Sequence, residues 1–222
     1  ITLKSGEFMA GIVEVHIEIE GRGGHGSEPA HSIDPITAAS QVHNAFHTIK
    51  SRNTFNTDVV AFTICEFKAG SACNVIPRLA TMTGTVRYFD EDVRDKVVDK
   101  IRTLTETVSD AFGCKGKAEF TYLYPAVINH EKQTEIVIDV AKEVLGEDGV
   151  NTKEHLPWFG SEDFSYYLQK VPGTFILLNN VKPGDEPISL HSSKMDFNDH
   201  ILSTGAYLNA KIAENRLGLN LL

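Results

Sequence analysis

The sequence is poor in basic charge. Lys and Arg number 21 against 30 Asp and Glu, a formal net charge of −9. Sequence-independent binding to nucleic acid needs a basic footprint, so that class of partner is excluded. No apolar run approaches the ~18 residues of a membrane span, so no segment is expected to cross a bilayer as a helix. Cysteine is sparse and odd in number, with only Cys65, Cys73 and Cys114. Three thiols in 222 residues do not describe a disulfide scaffold and fit a reducing, cytoplasmic compartment. The chain opens on Ile1 without Met and without the charged-then-apolar pattern of a signal peptide, which fits a processed terminus or a fragment. Internal repeats and low-complexity tracts are absent.

What is present is an ordinary globular composition, 41% hydrophobic and 23% charged. From Ile12 to Glu20, Val13, Val15, Ile17 and Ile19 alternate with Glu14, His16, Glu18 and Glu20. Period two predicts a half-buried strand. Asp34 is placed to cap a helix with Pro35 in its first turn. Ile36, Ala39, Val42, Ala45 and Phe46 continue it at helical spacing to about Lys50. Strands follow over Asp58–Phe67 and Leu79–Phe89, the second with Met82, Gly84, Val86 and Tyr88 on one side. Asp90 opens a long helix through Val93, Val97, Ile101, Leu104, Val108 and Phe112, which Gly113 or Gly116 stops. Ala118–Tyr124 is a last strand. The order β-α-β-β-α-β predicts a ferredoxin-like unit with two helices on one face of an antiparallel sheet.

Beyond Pro125 the pattern changes. A helix is expected over Glu131–Leu145, a short helix opening at Ser161 or Asp163, a short buried strand over Thr174–Leu178, and a final helix over Asp199–Asn215. This half resembles one edge of an α/β sheet. With one strand it makes a poor independent core, which suggests a missing partner segment.

Several segments carry chemistry-bearing side chains. Gly21-Arg22-Gly23-Gly24-His25-Gly26 matches the letters of a dinucleotide-binding turn. That turn needs a helix opening at its third glycine, and Pro29 and Pro35 postpone the helix. The remaining readings are a flexible turn with glycines at positive φ, or a turn that presents His25. His25 and His31, six apart, are either a chelating pair or exposed loop histidines. Asn74 lies in the turn Ala72–Pro77 between two strands. Arg87 faces away from Val86 and Tyr88, and either snorkels to solvent or offers a bidentate fork to a carboxylate. Glu162 and Asp163 sit at an expected helix start, where capping alone would explain them. His191 stands in a polar loop after the expected buried strand, where α/β folds carry ligands.

Taken together, four stretches resemble the aminoacylase and carboxypeptidase-G family of two-metal amidohydrolases: GRGGHGSEPAHSIDP, AGSACNVIP with GTVRYFD, GSEDFSYYLQKVPG, and LHSSKMDFND. With YLYPAVINH between them, they are most similar to the subgroup of hippurate hydrolase and the indole-acetyl-amino-acid amidohydrolases. The resemblance implies an α/β catalytic domain interrupted by a ferredoxin-like lid that forms a homodimer. Residues 1–11 would then end the first catalytic segment, 12–127 form the lid, and 128–222 the C-terminal part of the catalytic domain. The resemblance further implies two divalent metal ions, zinc or manganese, in the complete protein, with His191 a ligand. His25 would stabilise the oxyanion in the partner subunit's site. Asn74 and Arg87 would hold the substrate carboxylate or help the oxyanion, and Glu162 would line the site. The implied substrate is a small N-acyl amino acid. The family's other ligands and its glutamate base have no counterpart in this sequence, so the segment alone is expected to be inactive and to bind little or no metal. A dipeptidase on the same scaffold and a non-catalytic dimerisation module are the alternatives.

Overall fold

The computed structural model describes residues 1–153, 156–181, 184 and 186–219. In chain order the strands are β1 (Gly6–Met9), β2 (Gly11–Glu20), β3 (Gly24–His25), β4 (Val60–Ala69), β5 (Val75–Ile76), β6 (Leu79–Tyr88), β7 (Lys115–Tyr124) and β8 (Val127–Asn129). The α-helices are α1 (Pro35–Asn53), α2 (Glu91–Ala111), α3 (Glu131–Leu145), α4 (Ser165–Leu168) and α5 (Leu202–Leu217). The chain divides into two compact units. One holds Met9–Ala126 together with Phe159–Asp163, and the other holds Ile1–Phe8, Val127–Trp158 and the chain from Phe164 on.

The first unit is built on a four-stranded antiparallel sheet in the order β4-β6-β2-β7. With α1 and α2 this is the ferredoxin-like arrangement that the sequence predicts. The alternation in β2 sends Val13, Val15, Ile17 and Ile19 into the core and leaves Glu14, Glu18 and Glu20 outside. Met82 and Val86 of β6 join them, and Val42, Phe46 and Ile49 of α1 with Val97 and Ile101 of α2 close the core from one face. The opposite face of the sheet is open and carries Glu14, His16, Thr83, Thr85 and Glu119 along a shallow trough.

Both helices begin as their sequences dictate. The Asp34 carboxylate accepts the Ile36 N–H at 2.9 Å, with Pro35 in the first turn. Asp90 accepts from Asp92 at 2.8 Å and from Val93 at 3.0 Å. Gly113, at φ +75°, ends α2 in a conformation that costs a Cβ-bearing residue strain.

Strand β4 carries a bulge at Cys65. Ile64 pairs with Gly84 and Glu66 with Thr83, so Cys65 is the extra residue. A Cβ on Gly84 would lie 2.2 Å from the Thr63 carbonyl oxygen, so glycine there lets the bulged strand approach. After the bulge the alternation changes phase, and Phe67 comes opposite Met82. Both outer strands mix charged and apolar side chains outside the core: β4 exposes Phe67 with the ion-paired Glu66 and Lys68, and β7 exposes Tyr122 and Tyr124 with the ion-paired Lys117 and Glu119.

In the second unit, α3 and α5 pack through Val140, Ala141 and Leu208 with Ile176 against them. Two expectations are corrected here and at its border, and that of a final helix from about Asp199 is met. Thr174–Leu178 is not a strand: only Leu177 forms a bridge, to Thr2, because no neighbouring strand runs beside it among the described residues. Instead the buried Asn129 side chain accepts the Phe175 N–H at 2.7 Å and donates to its carbonyl at 3.0 Å. The short helix opens at Ser165, not at Ser161 or Asp163, and has no side-chain cap. Glu162 instead takes the Asp163 N–H at 3.1 Å, and residues 159–163 pack with the other unit. The final helix starts with a tighter turn, Asp199–Ile201, whose cap is Asn198, and runs on to Leu217. The small sheet of β1 and β8 has no counterpart in the sequence reading.

Candidate active site

The glycine-rich turn after β2 folds back on Asn74. Gly24 pairs with Ile76 and His25 with Val75, making a two-residue ribbon of β3 and β5. The Gly26 N–H donates to the Asn74 carbonyl at 2.8 Å. Gly21, Gly23, Gly24 and Gly26 all avoid positive φ, which corrects the flexible-turn reading. They are small because backbone comes close: a Cβ would stand 2.2 Å from Ile33 O at Gly21 and 2.9 Å from Ile76 O at Gly23.

The ribbon therefore brings two of the expected site residues, His25 and Asn74, to one exposed tip. His25 Nδ1 lies 2.7 Å from the Ser27 hydroxyl and accepts the Ser27 N–H at 3.2 Å. With Nδ1 accepting, the neutral ring carries its proton on Nε2, which is left as an outward donor. His31 closes the short turn Pro29–His31, where its carbonyl accepts from Arg22 Nε at 3.1 Å. Among the described residues no three of His, Cys, Asp and Glu stand close enough to hold a metal ion, so His25 and His31 belong to no such group.

Arg87 sits at the other end of the sheet. Its strand starts at Leu79, beside the ribbon, and eight residues at ~3.4 Å each put about 27 Å between the two places. The side chain stands on the open face, as the alternation predicts, with Ile12 and Ala61 as its cross-strand neighbours. Its Nη1 donates to the Ser161 hydroxyl at 2.7 Å. Burial lowers its pKa, opposed by the nearby Cys65 thiol, and the group stays cationic. No carboxylate of the described residues forms an ion pair with it. Glu162 follows Ser161 in the same short segment and is half-buried. That segment is held to the sheet unit by Phe159, whose ring meets Phe89 edge-on at 5.5 Å and 82°.

His191 lies in an exposed loop of the second unit, inside the turn Ser189–Ser192, which the turn Ser192–Met195 follows. The donor set around it does not make a metal centre by itself among the described residues. Two polar partners escaped the sequence reading. Ser27 orients His25, and Ser161, read there only as a helix start, holds Arg87. Neither sits in a periodic pattern that would mark it.

A four-stranded antiparallel sheet in the order β4-β6-β2-β7, with α1 and α2 on one face, is a ferredoxin-like unit, and that fold hosts many functions. Residues 9–111 match the family model described as the peptidase dimerisation domain. The chain belongs to the M20 family of peptidases and amidohydrolases. Hippurate hydrolase of Campylobacter jejuni is 34% identical over 95% of this chain and 54% of its own length. An IAA-amino acid hydrolase of Arabidopsis thaliana is 31% identical over 98% of this chain and 50% of its own. The chain thus spans about half the length of the curated relatives it matches. Among solved structures, one described as an aminohydrolase of methicillin-resistant Staphylococcus aureus superposes with a TM-score of 0.83 at 27% identity, covering 96% of this chain and 55% of the other. The Bacillus subtilis YxeP protein, described as a dinuclear metal-binding peptidase of the M20 family, shares the fold at a TM-score of 0.71 and 24% identity, over 99% of this chain and 54% of its own.

Proposed function

We propose that this chain is the lid and part of the catalytic domain of a metal-dependent amidohydrolase that cleaves N-acyl amino acids. The observation that carries the reading is Arg87. A half-buried guanidinium without an acidic partner among the described residues is costly to keep, and its planar fork suits a free carboxylate. An N-acyl amino acid offers that carboxylate beside its scissile amide. Relatives named as hippurate and IAA-amino acid hydrolases act on compounds of this kind by their names.

The remaining roles belong to the same reading. His25, with an Nε2–H donor at an exposed tip, donates to the oxyanion that develops on the amide carbonyl. Asn74 shares that tip. Because Arg87 lies about 27 Å away along the same sheet, counted at ~3.4 Å per residue, one lid does not bring both to a single substrate. A homodimer does, with His25 and Asn74 reaching the partner subunit's substrate and Arg87 binding within its own subunit. The open β4 edge of the sheet, with Phe67 exposed, is a surface for that pairing. Residues 1–11 and 128–222 belong to the catalytic domain and 12–127 to the lid. His191 is one ligand of a two-metal site, zinc or manganese, which other parts of the enzyme complete. When bound, the metal pair supplies an acidified water as nucleophile. Glu162 braces the carboxylate end beside Ser161.

The test is a substrate panel on the metal-loaded active enzyme. N-acetyl and N-benzoyl amino acids should be cleaved, and their carboxamide counterparts about 10²-fold less efficiently, as expected when a charged partner is lost. Preference for dipeptides with a free amino group would replace this reading with an exopeptidase. No hydrolysis of any amide would leave a dimerisation module.

A further inference from the structure

We propose that Ser161 is a positioning residue for carboxylate recognition: it holds the Arg87 guanidinium away from Glu14, so that the remaining N–H groups stay open to substrate. The proposal rests on the reading of Arg87 given above.

The open face of the sheet sets up a competition for Arg87. Ile12 and Ala61, its direct neighbours, offer nothing polar from their side chains. The next outward residue of β2 is Glu14, paired with Thr85, on the same face and diagonal to Arg87. Diagonal neighbours of this kind lie ~7–8 Å apart at the backbone, within reach of a long side chain. An arginine free to rotate would settle on that carboxylate, and a neutralised guanidinium binds a second carboxylate poorly. Yet no ion pair joins Arg87 to Glu14. The 2.7 Å bond from Nη1 to Ser161 Oγ draws the head group elsewhere.

Ser161 can do this because its own position is fixed. The segment Phe159–Asp163 packs with the sheet unit, although the residues on either side of it belong to the other. Phe159 against Phe89 anchors one end, two residues before the hydroxyl. An arginine side chain has many rotamers to lose on binding, and a fixed hydroxyl removes part of that cost before substrate arrives.

The experiment compares an N-acetyl amino acid with its carboxamide in the active enzyme, measuring kcat and KM separately. Ser161→Ala should raise KM for the acid about 3- to 10-fold, the weight of one hydrogen bond, with kcat held and the carboxamide unaffected. Ser161→Thr, which keeps the hydroxyl, should restore KM. Adding Glu14→Gln to Ser161→Ala should recover part of the loss. An unchanged KM in Ser161→Ala, an equal loss on both substrates, or failure of Thr to rescue overturns the proposal. Glu14→Gln without effect on the alanine variant overturns the part assigned to Glu14. Arg87→Ala is the control for the underlying reading. If it leaves KM for the acid unchanged, carboxylate binding by Arg87 is wrong; if it raises KM while Ser161→Ala does not, only the positioning role falls.

Discussion

His25 is oriented by Ser27: the Nδ1 atom lies 2.7 Å from the Ser27 hydroxyl and takes the Ser27 N–H as well. The bond fixes the tautomer that turns a donor outward. His25→Ala in the active enzyme should lower turnover by ~10²–10³, the usual weight of one oxyanion donor, with metal content intact. Ser27→Ala removes only the hydroxyl part of the support and should cost about 3- to 10-fold in turnover. Equal losses in the two variants would mean that His25 contributes nothing unless the Ser27 hydroxyl orients it, and an unchanged turnover in His25→Ala would remove it from the oxyanion.

The trans arrangement is tested by mixing two inactive variants, His25→Ala and His191→Ala. In a mixed dimer one site has an intact His191 and receives an intact His25 across the interface. Activity should return in part once subunits exchange. A mixture that stays inactive after exchange is demonstrated, for instance by mass-tagged subunits, assigns His25 to its own chain.

Asp90 should matter for stability alone. It caps α2 through two backbone N–H groups, and Asp90→Ala is expected to cost about 1 kcal/mol in denaturant unfolding. A loss near zero would show that packing of Val93 and Val97 holds the helix end without the cap.

The thiols offer a pH test. Cys114 is 3% exposed, and burial pushes its pKa above the ordinary value of 9.0. Below that value both folded and unfolded chains keep the thiol neutral and the contribution is level. Above it the unfolded chain ionises first, so stability falls as pH rises toward the folded-state pKa. Cys114→Ala should have a shallower decline on the alkaline side, measured by denaturant titration at several pH values. At neutral pH a thiol reagent should label the exposed Cys65 and Cys73 quickly and Cys114 only on unfolding.

Much of the sheet unit was legible because its signals are local and repeated. The Val13–Ile19 alternation, the caps at Asp34 and Asp90 and the stop at Gly113 each act within a few residues. What was not legible depends on distant partners. β1 and β8 are four and three residues long, too short for any period to show. Thr174–Leu178 has strand composition, but a ladder also needs a neighbour. The site followed the same division. Residue types and resemblance pointed to His25, Asn74 and Arg87, yet neither told that His25 sits beside Val75 or that Arg87 reaches 74 positions along the chain to Ser161. The bulge at Cys65 left no trace either, since one inserted residue simply moves the alternation from even to odd positions.

The charges on the two outer strands have a consequence for aggregation. A sheet with two open edges can add neighbours without end and grow into a fibre. Here both edge strands carry exposed charge, Glu66 and Lys68 on β4 and Lys117 and Glu119 on β7. A chance strand that docks against either edge strips water from those groups without offering them partners. The penalty falls on random neighbours alone, so the sheet stays open to a matched surface and closed to uncontrolled growth.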